Sequence, residues 1–286
     1  MSIETTYNIE LRTDDLGDPW NGPPVSADRW MESVRQLLTR IERSEVGGLL
    51  LRSIRFHGRW VRIRPFWSHY KPTYLPCNAV TGDALGNAAG DPRVAAIVRI
   101  SPERWAEGTA CAVRDKARGA VVAEPHEILF HELVHAFRYV SKAHADTPVP
   151  LAGGLVRHSN SEEFIAVVVA NIYASANGKR ALRGAHHGHP VLPSHLDSSF
   201  AFFRIGTQAF PIIEAFAGSN KGFCRALAGI KAPFNPIRAF FVDRERARRL
   251  STGEMARGRD LRGVVVDLVD QLPLVKISDF ERLMAP

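Results

Sequence analysis

From Pro125 the chain runs Pro125-His126-Glu127-Ile128-Leu129-Phe130-His131-Glu132-Leu133-Val134-His135-Ala136-Phe137. The apolar spacing of Leu129, Phe130, Leu133, Val134 and Phe137 predicts one helix over about 125–142. Within it the run HELVH sets His131 and His135 one turn apart on one face, where both imidazoles can reach a single ion. Zinc accepts neutral histidine nitrogens at about 2.0–2.1 Å, and a catalytic zinc keeps one position for water. Glu132 follows the first histidine and lies to one side of such an ion, as a base for that water.

The chain holds 11 His and 16 Glu in 286 residues, so random order would produce this pattern about 0.02 times per chain. A buried helix carrying His, Glu and His is costly without a metal or other partners for them. The competing reading is a chance match with satisfied core histidines.

A third protein ligand is expected from the next helix, which begins Ser161-Glu162-Glu163-Phe164-Ile165-Ala166. Its two glutamates lie about 100° apart around a helix, so one of them binds. Phe164, Val167, Val168 and Ile172 suggest a buried face adjoining Glu163 more than Glu162. The alternative for either residue is a first-turn acid complementing the helix dipole.

Around these two segments the pattern is mixed. Residues 1–25 read as an irregular N-terminal arm, and residues 26–286 as one domain. A helix is expected from Ser26 through Trp30, Val34, Leu37, Leu38 and Ile41, closed by Gly47-Gly48. Residues 49–56 and 59–65 alternate apolar and basic positions about His57-Gly58, which predicts a hairpin. Residues 68–93 read as a long connection rich in Pro, Gly and Asn. Residues 94–100 form a short β-type run. Further helices are expected at 161–176, 198–217, 219–230, 236–249 and 260–272. The order gives an α+β fold with a small sheet and a mostly helical C-terminal half.

Composition is that of an ordinary globular chain, with 45% apolar and 23% charged residues. No apolar run reaches the roughly 18 residues of a membrane span, and the polar, acidic start shows no ordinary secretory signal peptide. Cys77, Cys111 and Cys224 are widely spaced and read as three reduced thiols. The net charge is +7. Nine basic residues against four acids fall between Lys231 and Arg262. That stretch could attract an acidic partner, a nucleic acid or an anionic membrane surface. The preferred reading is a solvated helix face with local ion pairs, since no aromatic stacking pattern or nucleic-acid motif accompanies the arginines.

HELVHA followed by EEFIA resembles the zincin proteases whose third ligand is a helical glutamate. HELxHA is similar to clostridial neurotoxin light chains, and EFxA resembles the protease domain of anthrax lethal factor. The run 162–188 resembles bacterial effector zincins delivered by specialised secretion. The resemblance covers about residues 94–190. It implies a zincin-like fold and Glu163 as the ligand, although Val167 stands where lethal factor has a second acid. It further implies synthesis in a bacterial cytoplasm, export without a signal peptide, and a secretion chaperone or immunity protein as partner.

The resulting expectation is a zinc endopeptidase acting on a polypeptide. Its metal ligands are His131, His135 and Glu163, with Glu162 as the other candidate. Glu132 passes the water proton to the leaving amine. Tyr173, His186 and His187 are candidates for stabilising the oxyanion, with Asn171 and Arg183 nearby. His126, His144, His158, His189 and His195 read as surface or capping residues. The strand 94–100 is a candidate sheet edge for an extended substrate. A zinc amidase acting on peptidoglycan and a silent zincin-fold binding protein are the alternatives.

Overall fold

The structure is a computed structural model that describes residues 2–13, 26–66, 79–83, 91–106, 108–148, 158–186, 189–192 and 209–251. Contacts divide the chain into two compact units. The first comprises residues 1–146 with 188–191, and the second 147–187 with 192–286.

The first unit contains the sheet. Its strands are β1 (Ser2–Glu4), β2 (Ile9–Arg12), β3 (Trp60–Arg64), β4 (Val80–Asp83) and β5 (Val94–Arg99), in the order β1-β2-β3-β5-β4. Strands β2, β3 and β5 run parallel, while β1 and β4 pair antiparallel at the two edges. Two expectations change here. Part of the irregular arm is strand, because Ile9 and Leu11 alternate with Glu10 and Arg12 and bury completely. And β5 is interior, so the strand at that side of the sheet is β4.

Among the described residues this unit also has helices α1 (Ala27–Glu42), α2 (Glu45–Phe56), α3 (Ala110–Ala117) and α4 (Pro125–Val140), with one 3-10 turn at Pro102–Arg104. Ser26 caps α1, accepting from the Arg29 N–H. The expected strand over 49–56 is instead α2. Ser44 caps it by accepting from the Gly47 N–H at 2.9 Å. Leu49, Leu50, Leu51, Ser53 and Ile54 are all buried, which removes the wet face the alternation suggested. Gly47 does not close α1 but permits the next helix to fold back on it. A Cβ at Gly47 would lie 1.9 Å from the Ile41 carbonyl oxygen. Helix α4 packs on β3, β4 and β5, and against α1 and α2. Ile9, Leu11, Val61, Ile63, Val98, Val34, Ile41, Leu50, Leu129 and Phe137 are completely buried in this unit.

The second unit, as described, is helical: α5 (Ser161–Ala176), α6 (Ala209–Ser219), α7 (Lys221–Gly229) and α8 (Pro236–Ser251). Asn160 caps α5, accepting from the Glu163 N–H at 2.8 Å. From Phe164 to Ser175 every residue of α5 is buried, as expected of a central helix apolar all round. Helices α6, α7 and α8 pack on one another, and α6 on α5. The helix expected over 260–272 lies outside the described residues, as does 198–208. The α+β class is therefore observed. Among the described residues no helix is long and apolar enough to cross a membrane.

Candidate metal centre

Local sequence sets the start of α4. Pro125 occupies the first turn, and the Glu127 carboxylate accepts the Glu124 backbone N–H at 2.9 Å. One and two turns later, His131, Glu132 and His135 are each more than nine-tenths buried. Leu129, Phe130, Leu133, Val134, Ala136 and Phe137 bury around them, so the polar triplet is held by a helix that cannot turn it to solvent.

The Nε2 atoms of His131 and His135 face each other at 3.2 Å, with ring centroids 4.9 Å apart. Neutral imidazoles at this distance share one N–H between two nitrogens. A tetrahedral zinc with bonds of about 2.05 Å places its ligand atoms about 3.3 Å apart, which matches the same spacing. Glu163, in the first turn of α5, belongs to the same group. His131, His135 and Glu163 each offer a ligand atom, and these atoms lie within 4.8 Å of one another. The donor set, two histidines and a carboxylate, suits zinc. Glu162 stands outside that group and is almost fully buried, contrary to the expectation that the apolar face favours Glu163.

Glu132 is held from the sheet. The Thr81 hydroxyl on β4 lies 2.7 Å from Glu132 Oε2 and 3.0 Å from the Glu132 carbonyl oxygen. No local pattern points to Thr81, which falls within the Pro-, Gly- and Asn-rich connection. Only the pairing of β4 with β5 selects it.

The other candidates separate. His186 lies beside Glu163, its Nε2 3.3 Å from the carboxylate, so it contacts a ligand candidate. Tyr173 is buried in α5. Ten residues beyond Glu163 amounts to about 15 Å along a helix, too far for a role at a centre that includes Glu163. His187 and His195 lie outside the described residues. Asn171 and Arg183 form a clamp instead. The Asn171 amide donates to the Arg183 carbonyl at 2.7 Å and accepts the Arg183 N–H at 3.1 Å. This ties the segment bearing His186 to α5. Of the histidines expected as surface or capping residues, His126 and His158 are buried, with His126 Nε2 3.1 Å from the carboxylate of the N-cap residue Glu124, whereas His144 and His189 are partly exposed and lie near Asp146 and Asp115.

No protein-family model, curated protein or solved structure matches the chain.

Proposed function

We propose that the protein is a zinc-dependent peptidase of zincin type, with His131, His135 and Glu163 as ligands and Glu132 as general base. The observation that carries this reading is the 3.2 Å approach of the two histidine nitrogens on α4, with Glu132 between them in sequence. Bound zinc supplies Lewis acidity toward water and a substrate carbonyl. Glu132 takes the proton of the attacking water and gives it to the leaving amine. The apolar surroundings of α4 limit competing solvent and strengthen each polar contact within.

A polypeptide substrate is supported by β4. Among the described residues this short strand pairs with β5 only, and an extended peptide can add to such an edge through main-chain hydrogen bonds. The likeness of residues 162–188 to exported bacterial zincins supports a target protein outside the producing cell.

The decisive test is metal content joined to one isosteric substitution. Protein purified without added metal is expected to carry about one zinc per chain, and His131→Ala or His135→Ala to lose most of it. Glu132→Gln is expected to keep zinc and melting temperature while hydrolysis of unfolded casein falls by about 10²–10⁴-fold. Full zinc retention in both histidine variants would sink the ligand assignment. Unchanged hydrolysis in Glu132→Gln would remove Glu132 as the base.

A further inference from the structure

The Thr81 hydroxyl, on β4, reaches Glu132 on α4 from a neighbouring element. The register pairs Thr81 with Val98 on β5, and Val98 with Ile63 on β3. Directly paired residues share a sheet face, so Thr81 stands on the face carrying Val98 and Ile63, and its bond to Glu132 marks that face as the one α4 covers. A threonine has a restricted χ1, and its hydroxyl has one proton to give. Two acceptors compete for it: the Glu132 carboxylate at 2.7 Å and the Glu132 carbonyl at 3.0 Å. The carboxylate is the nearer and, when ionised, the stronger acceptor. A contact whose sole purpose was to pin the strand to the helix would need only the carbonyl.

We propose that Thr81 is a positioning residue that fixes the carboxylate of Glu132 for proton transfer by donating its hydroxyl to Oε2. The inference rests on the peptidase reading above. A carboxylate rotates easily about its last torsion. A base, however, must present one oxygen at a defined place when the water is attacked. Holding Oε2 from β4 selects which oxygen does this. It also links the catalytic base to the strand on which an extended substrate would lie, so both are referred to one rigid sheet.

The test is a double-mutant cycle on the zinc-loaded full chain, read by the calorimetric affinity for acetohydroxamate, a zinc ligand whose acidic proton is taken by a neighbouring carboxylate. Thr81→Val is expected to retain zinc and to weaken acetohydroxamate by about ten- to a hundred-fold, as for losing a hydrogen bond to a charged group. Thr81→Ser, which restores the hydroxyl, is expected to recover affinity to within about two-fold of the unsubstituted protein. With Glu132→Ala already present, Thr81→Val is expected to change affinity by less than about two-fold, because the coupled partner is gone. A casein assay on the same variants is expected to show Thr81→Val lowering kcat more than KM.

An equal loss from Thr81→Val with and without Glu132 would show that Thr81 acts through the helix backbone, and would overturn the inference. So would no loss at all, or a loss that serine does not repair. Those results, with zinc bound, leave the metal centre standing. Absence of zinc from the unsubstituted protein would sink the metal-centre reading and this role together.

Discussion

Each buried polar side chain on α4 has to be offset by something, and the size of that need separates the residues of the site. His131 and His135 meet nitrogen to nitrogen, an arrangement stabilised by a shared proton or a shared cation. Glu162 and Glu163 are adjacent, yet only Glu163 groups with the histidines. Glu163→Ala is therefore expected to weaken zinc binding by more than about 100-fold, read by competition with a chelating dye. Glu162→Ala should leave zinc affinity nearly unchanged. The reverse order would move the ligand by one residue. His126 is a different case. Burial, and then the Arg40 cation, hold its pKa below the ordinary histidine value of 6.5. A depressed folded-state pKa means that the unfolded chain binds the proton first. The stabilising contribution is fully present above 6.5 and is lost as pH falls through the lowered value. An NMR titration should place the His126 midpoint below 6.5, and His126→Gln should flatten the loss of stability on acidification. A midpoint at or above 6.5 would contradict this.

Elements whose sequence period matched their burial were legible in advance. Helices α1, α4 and α5 and strand β5 fall where apolar spacing, caps and β-branched runs put them. In helix α2 basic residues alternate with apolar ones by accident of order, which mimics a strand. Eight of its twelve residues bury, which no period of two allows. The candidate ligands His131 and His135 were legible because HExxH encodes its own geometry within one turn. Thr81 was not, since its place depends on which strand lies next to β5, a long-range pairing that local pattern does not carry. The clamp between Asn171 and Arg183 was equally hidden: twelve residues separate two groups that meet in two bonds. Asn171→Ala would leave a buried N–H and a buried carbonyl without these partners, at a cost of about 2 kcal/mol in urea unfolding. Because the clamped segment carries His186 to Glu163, the same variant is expected to weaken zinc binding several-fold. Stability and zinc affinity both equal to the unsubstituted protein would show that the clamp contributes nothing to either.

At the scale of the whole chain, cysteine chemistry departs most from what composition suggested. Three cysteines scattered over 286 residues resemble no disulfide framework, and reduced thiols are the usual state of so sparse a set. Yet Cys111, on α3, is disulfide-bonded, while Cys224, on α7, is a free thiol with no exposed surface. Spacing could not reveal this, because a disulfide depends on two Cα atoms coming within about 7 Å, a property of the folded chain and not of sequence intervals. Disulfides persist where thiols are not continuously reduced, so the oxidation state bears directly on whether the protein works outside a reducing cytosol. Protein purified without reductant is expected to show almost no reactive thiol while folded, since Cys224 is shielded. In denaturant it should titrate one thiol, and after reduction three. Cyanylation and cleavage should then place the single accessible thiol at Cys224. Three thiols in denaturant without prior reduction would mean that Cys111 is reduced, and the chain would then offer no chemical sign of an oxidising destination.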